Sequence, residues 1–437
     1  MKVDEQARKA LRLLSREQIR AMQVEKLNGL LDRVLPHNEF YRQKLAGGPT
    51  RLGSVDELAS LPATTKPELR AEQRTEPVNA TWPADRYVHY HQTSGTSGYP
   101  IPVWDTAEDW AWWSDCWQHV LDAAGVQPGE RAMLAFSFGP FIGFWSAYAA
   151  LVGRGVMAVT GGGMNSLARL ELIRRTGATV LLCTPTYALH MVEVAAEHSL
   201  NLDRLPIDKV IVAGEPGGSS AATRERIESA WSATVTDHGG ASEVGPWGFG
   251  DPEGQGLHVL ETEFIAEFYS TETGEPAAEG ELSRMLLTSL GRHGLPIVRY
   301  ETGDLVRPVW DHGGDCGFVL LEGGVLGRAD DMMVVRGVNV FPSAIESILH
   351  GFPEVVEHRL TVTREDEMDQ LTVEIEDRLE HPERIASELQ LRLGLRVEVR
   401  CVPMMSLPRF EGKGRRFVDR RASASGRGQT ATGGGEA

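Results

Sequence analysis

The sequence predicts an α/β protein with a large N-terminal domain, built on mostly parallel sheet and a β-rich subdomain, and a small α/β C-terminal domain. Three observations predict it. Between residues 131 and 213 short β-prone runs alternate with stretches of helical periodicity. From about residue 259 the texture turns to short β runs broken by turn residues, and residues 331–420 return to mixed strand and helix patterns on a smaller scale. A chain of 437 residues also exceeds what one hydrophobic core usually serves.

Each element has its own warrant. Residues 5–35 carry Leu11, Leu14, Ile19, Met22, Leu27, Leu30, Leu31 and Val34 at helical spacing, which predicts a helical start. In Leu61-Pro-Ala-Thr-Thr-Lys-Pro-Glu-Leu69, Thr64 or Thr65 caps a short helix with Pro67 in its first turn, and Lys66 reads as solvated. Residues 106–124 form an aromatic helix with Trp110, Trp112, Trp113 and Trp117, a stripe suited to core or to an interface with a second copy. Strands follow over 131–136, 155–160, 179–183 and 210–213, separated by helices over 143–152, 167–175 and 187–198. Such alternation implies a parallel sheet covered on both faces, with ligands at the carboxyl ends of its strands. The loops there are glycine-rich: Ser137–Pro140, Thr160–Gly163, Gly214–Gly218 and Asp237–Gly245. In the second domain, 360–363, 370–376 and 396–402 read as strands and 382–393 as a helix. The boundaries are 1–328 and 329–420, and the Ser/Ala/Gly-rich tail 421–437 lacks the apolar residues to order itself.

Composition narrows the function. A net charge of -17 argues against a nucleic-acid or anionic-membrane partner and favours a small-molecule substrate. With no long apolar run and a charged N-terminus, a cytoplasmic location is expected. Cys116, Cys183, Cys316 and Cys401 lie far apart and read as buried thiols.

Thr93-Ser-Gly-Thr-Ser-Gly98 follows the strand-like Tyr87-Val-His-Tyr90. Glycines at this density turn backbone N–H groups toward an anion and the hydroxyls add uncharged donors, a composition that fits a polyphosphate. It is not a Walker A loop, because no lysine follows Gly98, so a catalytic lysine must arrive from elsewhere.

Taken with Gly214-Glu-Pro216, Ala241-Ser-Glu243, Tyr300-Glu-Thr-Gly-Asp304, Gly327-Arg-Ala-Asp-Asp331, Arg336-Gly-Val-Asn-Val-Phe-Pro342 and Pro408-Arg-Phe-Glu-Gly-Lys413, this loop resembles the adenylate-forming superfamily, in its phenylacetate–CoA ligase-like branch. The resemblance covers roughly residues 5–420 and implies ATP-dependent activation of a carboxylic acid through an acyl-adenylate, then transfer to coenzyme A. Thr93, Ser94, Gly95, Thr96, Ser97 and Gly98 would hold the β and γ phosphates, and Glu243 would hold Mg²⁺. Asp304 would bind the ribose with Arg328 assisting. Gly214, Glu215 and Pro216 would line the adenine pocket, with Asp237 and Gly239 close by. Lys413 would bridge the carboxylate and the α-phosphate, Asp330 would be the hinge, and Arg336 and Gly337 would border the pantetheine channel. The acid pocket would draw on Phe138, Phe141, Trp145, Tyr148, Gly161, Gly240, Ala241 and Trp247, apolar groups that suit an aryl or arylacetic acid.

Two departures stand out. Relatives often place an aromatic residue where this chain has Gly239, and His258 and Cys316 match only half of a zinc-binding cluster, so no zinc is expected. Other readings are transfer to a carrier-protein thiol or an amine, and an inactive homologue that binds nucleotide or aryl acid.

Overall fold

The computed structural model describes residues 4–70, 76–93, 100–329, 333–335, 338–365, 368–393, 397–409 and 416–420. The chain divides into two compact units, Met1–Ala329 and Asp330–Ala437.

The first unit is organised on a nine-stranded sheet. Strands Met157–Thr160, Arg131–Leu134, Val180–Cys183, Lys209–Ala213 and Thr234–Ala241 run parallel in that spatial order. The crossovers are the helices Ile142–Arg154, Ser166–Thr176, Pro185–Glu197 and Ala221–Trp231. Asn165 and Thr184 accept backbone N–H groups at two of the helix starts, and Gly155 and Gly177 end two helices in left-handed conformation. Helices cover both faces, so consecutive strand residues serve different cores: Ala132 and Leu134 pack in one, Met133 and Ala135 in the other.

The sequence reading of Asp237–Gly245 as a loop needs correction. Thr234–Ala241 is a strand that pairs antiparallel with Gly245–Gly250, and Gly256–Val259, Leu320–Glu322 and Pro308–Val309 extend that antiparallel side. Glycine is required there because neighbours fill the space: a Cβ on Gly239 would lie 2.6 Å from the Trp247 ring. The β-rich subdomain is a four-stranded antiparallel sheet of Phe264–Ser270, Ser283–Ser289, Tyr300–Val306 and Gly327–Arg328. Residues 300–304 lie inside one of its strands.

The single helical start is in fact two helices, Glu5–Arg12 and Arg16–Val34. Ser15 and Gln18 form a capping box that restarts the chain. The following arm reaches the β-rich sheet, where Thr64 accepts from Glu301 N and donates its own N–H to the Arg299 carbonyl. In the aromatic helix, Ala107–Ala123, Trp113 and Trp117 are core residues.

In the second unit, helices Pro342–His350 and Pro382–Leu393 pack with a sheet ordered Glu398–Cys401, Met368–Asp377, Val355–Glu365, Phe417–Asp419. Residues 421–437, read as a disordered tail, lie outside the described residues.

Candidate active site

Strands Tyr87–Gln92 and Pro102–Thr106 form the antiparallel hairpin that presents the glycine-rich loop. Residues Ser94, Gly95, Thr96, Ser97 and Gly98 lie outside the described residues. Thr93 closes the base of the loop: its N–H donates to the Ile101 carbonyl at 3.0 Å, and its hydroxyl oxygen accepts from Ile101 N at 3.0 Å.

Glu243 sits in the turn after Thr234–Ala241 and is almost wholly buried. The Tyr300 hydroxyl donates to its Oε1 at 3.2 Å, and Lys66 Nζ lies 3.5 Å from the same oxygen. This corrects the reading of Lys66 as a solvated lysine. The Thr64–Tyr300 backbone pairing sets the start of helix Lys66–Leu69 beside the strand that carries Tyr300, and the lysine follows. Burial, with Glu243 alongside, pushes the Tyr300 phenol up, so it stays protonated as a donor.

Four residues along the same strand, Asp304 pairs across to Arg328, whose Nη1 donates to Oδ1 at 3.0 Å. Gly303 permits this, because a Cβ there would lie 2.8 Å from Arg328 Nη2. Burial raises the Asp304 carboxyl and Arg328 opposes that shift. Two carboxylates, two cations and a phenol thus converge from the arm, the Ser242–Val244 turn and the β-rich sheet.

On the parallel sheet, Gly214 follows its strand with φ of 92°, the conformation that glycine tolerates best. The Glu215 carboxylate accepts from Thr186 N at 2.8 Å and from the Thr186 hydroxyl at 2.5 Å, at the start of the neighbouring helix. Asp237 is buried and accepts from the Ser219 hydroxyl at 2.6 Å, and burial pushes its carboxyl up to about 6. It therefore braces the loop that leads from Gly214 and Pro216. His238 Nδ1 donates to the Gly248 carbonyl at 2.8 Å, and burial lowers its pKa to about 4, which leaves a neutral ring with an unprotonated Nε2 facing Gly240.

The aromatic residues gather at the carboxyl ends of the first two strands. Phe138, with φ of 52°, meets Trp145 edge-on at 5.0 Å, and Trp145 meets Tyr148 at 6.5 Å. A Cβ on Gly162 of the next loop would lie 3.3 Å from Phe138, and the buried Arg169 donates to the Gly161 carbonyl at 3.0 Å. Phe141 meets Phe144, a residue missed in the sequence, which stacks on Phe136 at 4.1 Å. Trp247 is 1% exposed and belongs to the core behind Gly239, and Ala241 packs beside that core.

Magnesium binds through one or two carboxylates together with substrate phosphates and waters. Glu243, a buried carboxylate oriented by the Tyr300 phenol, fits that need. His258 instead engages Asp251 at 3.2 Å, and no group of three or more metal-binding side chains gathers among the described residues. Burial opposes protonation of His258, yet Asp251 and Cys316 prevail and raise its pKa to about 9. Asp330, Arg336, Gly337 and Lys413 lie outside the described residues.

Residues 35–264 match the family of AMP-binding enzymes, and residues 337–421 match the AMP-binding enzyme C-terminal domain. The chain is 30% identical to a phenylacetate–coenzyme A ligase of Thermus thermophilus, over 94% of this chain and 98% of that one. It is 31% identical to the phenylacetate–coenzyme A ligase of Escherichia coli, over 93% and 95%. Among solved structures, a 2-hydroxyisobutyryl-CoA ligase in the postadenylation state superposes with a TM-score of 0.88 at 26% identity, over 94% of this chain and 92% of that one. The chain belongs to the AMP-binding enzyme family.

Proposed function

We propose that this protein is an AMP-forming acid–thiol ligase whose acid is aromatic, an aryl or arylacetic acid. It activates a carboxylic acid with ATP through an acyl-adenylate and transfers the acyl group to coenzyme A. The observation that carries the reading is the convergence of Lys66, Glu243, Tyr300, Asp304 and Arg328 at one end of the sheet. Attack of a carboxylate on the α-phosphate brings two anions together, so the site must supply positive charge and orientation rather than a covalent nucleophile.

In this reading the hydroxyls and N–H groups of 93–98 hold the β and γ phosphates, and Lys66 adds a cation there. Glu243, held by Tyr300, is the ligand for Mg²⁺, which when bound neutralises phosphate charge. The Asp304 carboxylate accepts the ribose hydroxyls, while Arg328 opposes the upward shift that burial imposes on it. Gly214, Glu215 and Pro216 border adenine, and Asp237 braces that loop. Lys413, carried by the second unit, bridges the acid and the α-phosphate; Asp330 is the hinge, and Arg336 and Gly337 border the pantetheine path. Phe138, Phe141, Trp145, Tyr148, Gly161, Gly240 and Ala241 wall the acid, with Trp247 setting the position of Gly239 from behind.

The relatives' activity on phenylacetate and the aromatic cluster both support an arylacetic acid. The 2-hydroxyisobutyryl-CoA ligase likeness favours a second reading, a short 2-hydroxy acid. The test is AMP release from ATP and Mg²⁺ with phenylacetate, benzoate, anthranilate and 2-hydroxyisobutyrate, each with and without coenzyme A. AMP formation that requires both one aromatic acid and coenzyme A supports the reading. Selective turnover of 2-hydroxyisobutyrate would replace the acid, and turnover indifferent to coenzyme A would point to a carrier protein or an amine.

A further inference from the structure

Arg292 lies between the strands Ser283–Ser289 and Tyr300–Val306, and its side chain is 0% exposed. Its Nε donates to Asp105 Oδ1 at 2.8 Å. Its Nη1 reaches two successive carbonyls, Ser242 and Glu243, at 3.1 Å each. The guanidinium also lies over the Trp113 ring at 5.2 Å, and Trp113 Nε1 donates to the same Asp105 oxygen at 3.2 Å. Asp105, likewise 0% exposed, belongs to Pro102–Thr106, the strand that leaves the glycine-rich loop.

The surroundings fix this arrangement further. Asp109 Oδ1 accepts from the backbone N–H groups of His293 and Gly294, and a Cβ on Gly291 would lie 2.2 Å from Trp112 Nε1. A fully desolvated ion pair contributes little net stability, because desolvation offsets the attraction. What the fork provides is geometry: one rigid group bonded at once to the loop hairpin and to the peptide that carries Glu243.

We propose that Asp105 and Arg292 are positioning residues that hold the Glu243 backbone in register with the strand Pro102–Thr106, so that the Glu243 carboxylate is oriented for Mg²⁺ before nucleotide arrives. The proposal rests on the role of Glu243 given above. Arg292→Lys keeps the charge and loses the fork, and Asp105→Asn keeps the shape and loses the anion.

The test is calorimetric titration of ATP into the full-length protein across a series of Mg²⁺ concentrations, with phenylacetate binding and melting temperature measured alongside. Loss of a charge-assisted contact predicts that the Mg²⁺ concentration for half-maximal ATP binding rises about tenfold in Arg292→Lys. ATP binding without Mg²⁺ and phenylacetate binding should change less than about twofold, and the double variant should be no worse than the poorer single variant. Unchanged Mg²⁺ dependence in a folded variant overturns the proposal. So does a loss shared equally by metal-free ATP and phenylacetate, or failure of both variants to fold, since each marks a merely structural pair. Glu243→Gln separates the two claims. If it leaves the Mg²⁺ dependence unmoved, the reading of Glu243 fails; if it shifts the dependence and Arg292→Lys does not, only the positioning role fails.

Discussion

Replacing Lys66 by Met keeps most of the unbranched side chain and removes its charge. In the free protein the ammonium faces Glu243 across 3.5 Å, with side-chain exposures of 36% and 8%. Unit charges at that distance attract by roughly 1 kcal/mol in water and by roughly 5 kcal/mol at an effective dielectric of 20. Because Lys66 is more than a third exposed, solvent screening places the value near the lower end, about 1–2 kcal/mol. Two effects of opposite sign follow. Glu243 loses its competing cation, so a divalent ion alone should bind about five- to thirtyfold more tightly. The triphosphate loses a charged partner worth about 1.5–3 kcal/mol, so the ATP concentration for half-maximal acid-dependent pyrophosphate exchange should rise at least about tenfold at saturating Mg²⁺. Mn²⁺ binding followed by electron paramagnetic resonance reads the first effect and an exchange assay reads the second. A folded Lys66→Met protein with unchanged ATP half-saturation would refute the placement of Lys66 at the phosphates.

Three further outcomes are expected. Lys413→Ala should lower adenylate formation by at least about a hundredfold while calorimetric ATP binding changes only a few-fold, as for a group that acts in the transition state. Gly239→Ala should cost about 1–3 kcal/mol through overpacking, seen as a lower denaturation midpoint, and Trp247→Leu should partly restore it. His258, raised from 6.5 to about 9, stabilises the fold fully below about pH 6.5 and loses that contribution as pH rises through about 9. Wild type should therefore lose about 3 kcal/mol across that window in urea titrations, and Asp251→Asn should flatten the loss.

The parallel half of the sheet was legible because its signals are local. Apolar periodicity, the caps at Asn165 and Thr184 and the glycines at 155 and 177 all lie within a few residues of the elements they define. The break at Ser15 was also readable, since Ser15-Arg-Glu-Gln18 is a capping-box pattern. Strand Thr234–Ala241 was hidden because its glycines lower β-propensity, and the Trp247 ring that requires Gly239 comes from the next strand. Lys66 and Arg292 were missed for a different reason. Their partners, Glu243 and Asp105, lie far away in sequence, and nothing local to a Lys-Pro-Glu or Gly-Arg-His run reports such a pairing.

The central claim is that an acyl-adenylate forms first and coenzyme A then accepts the acyl group. Mixing the enzyme with α-labelled ATP, Mg²⁺ and phenylacetate without coenzyme A should yield about one enzyme equivalent of labelled adenylate within a single turnover. Adding coenzyme A should convert it to thioester and AMP. Label found only in ATP across the panel of acids, or AMP released without any trapped adenylate, would contradict the account.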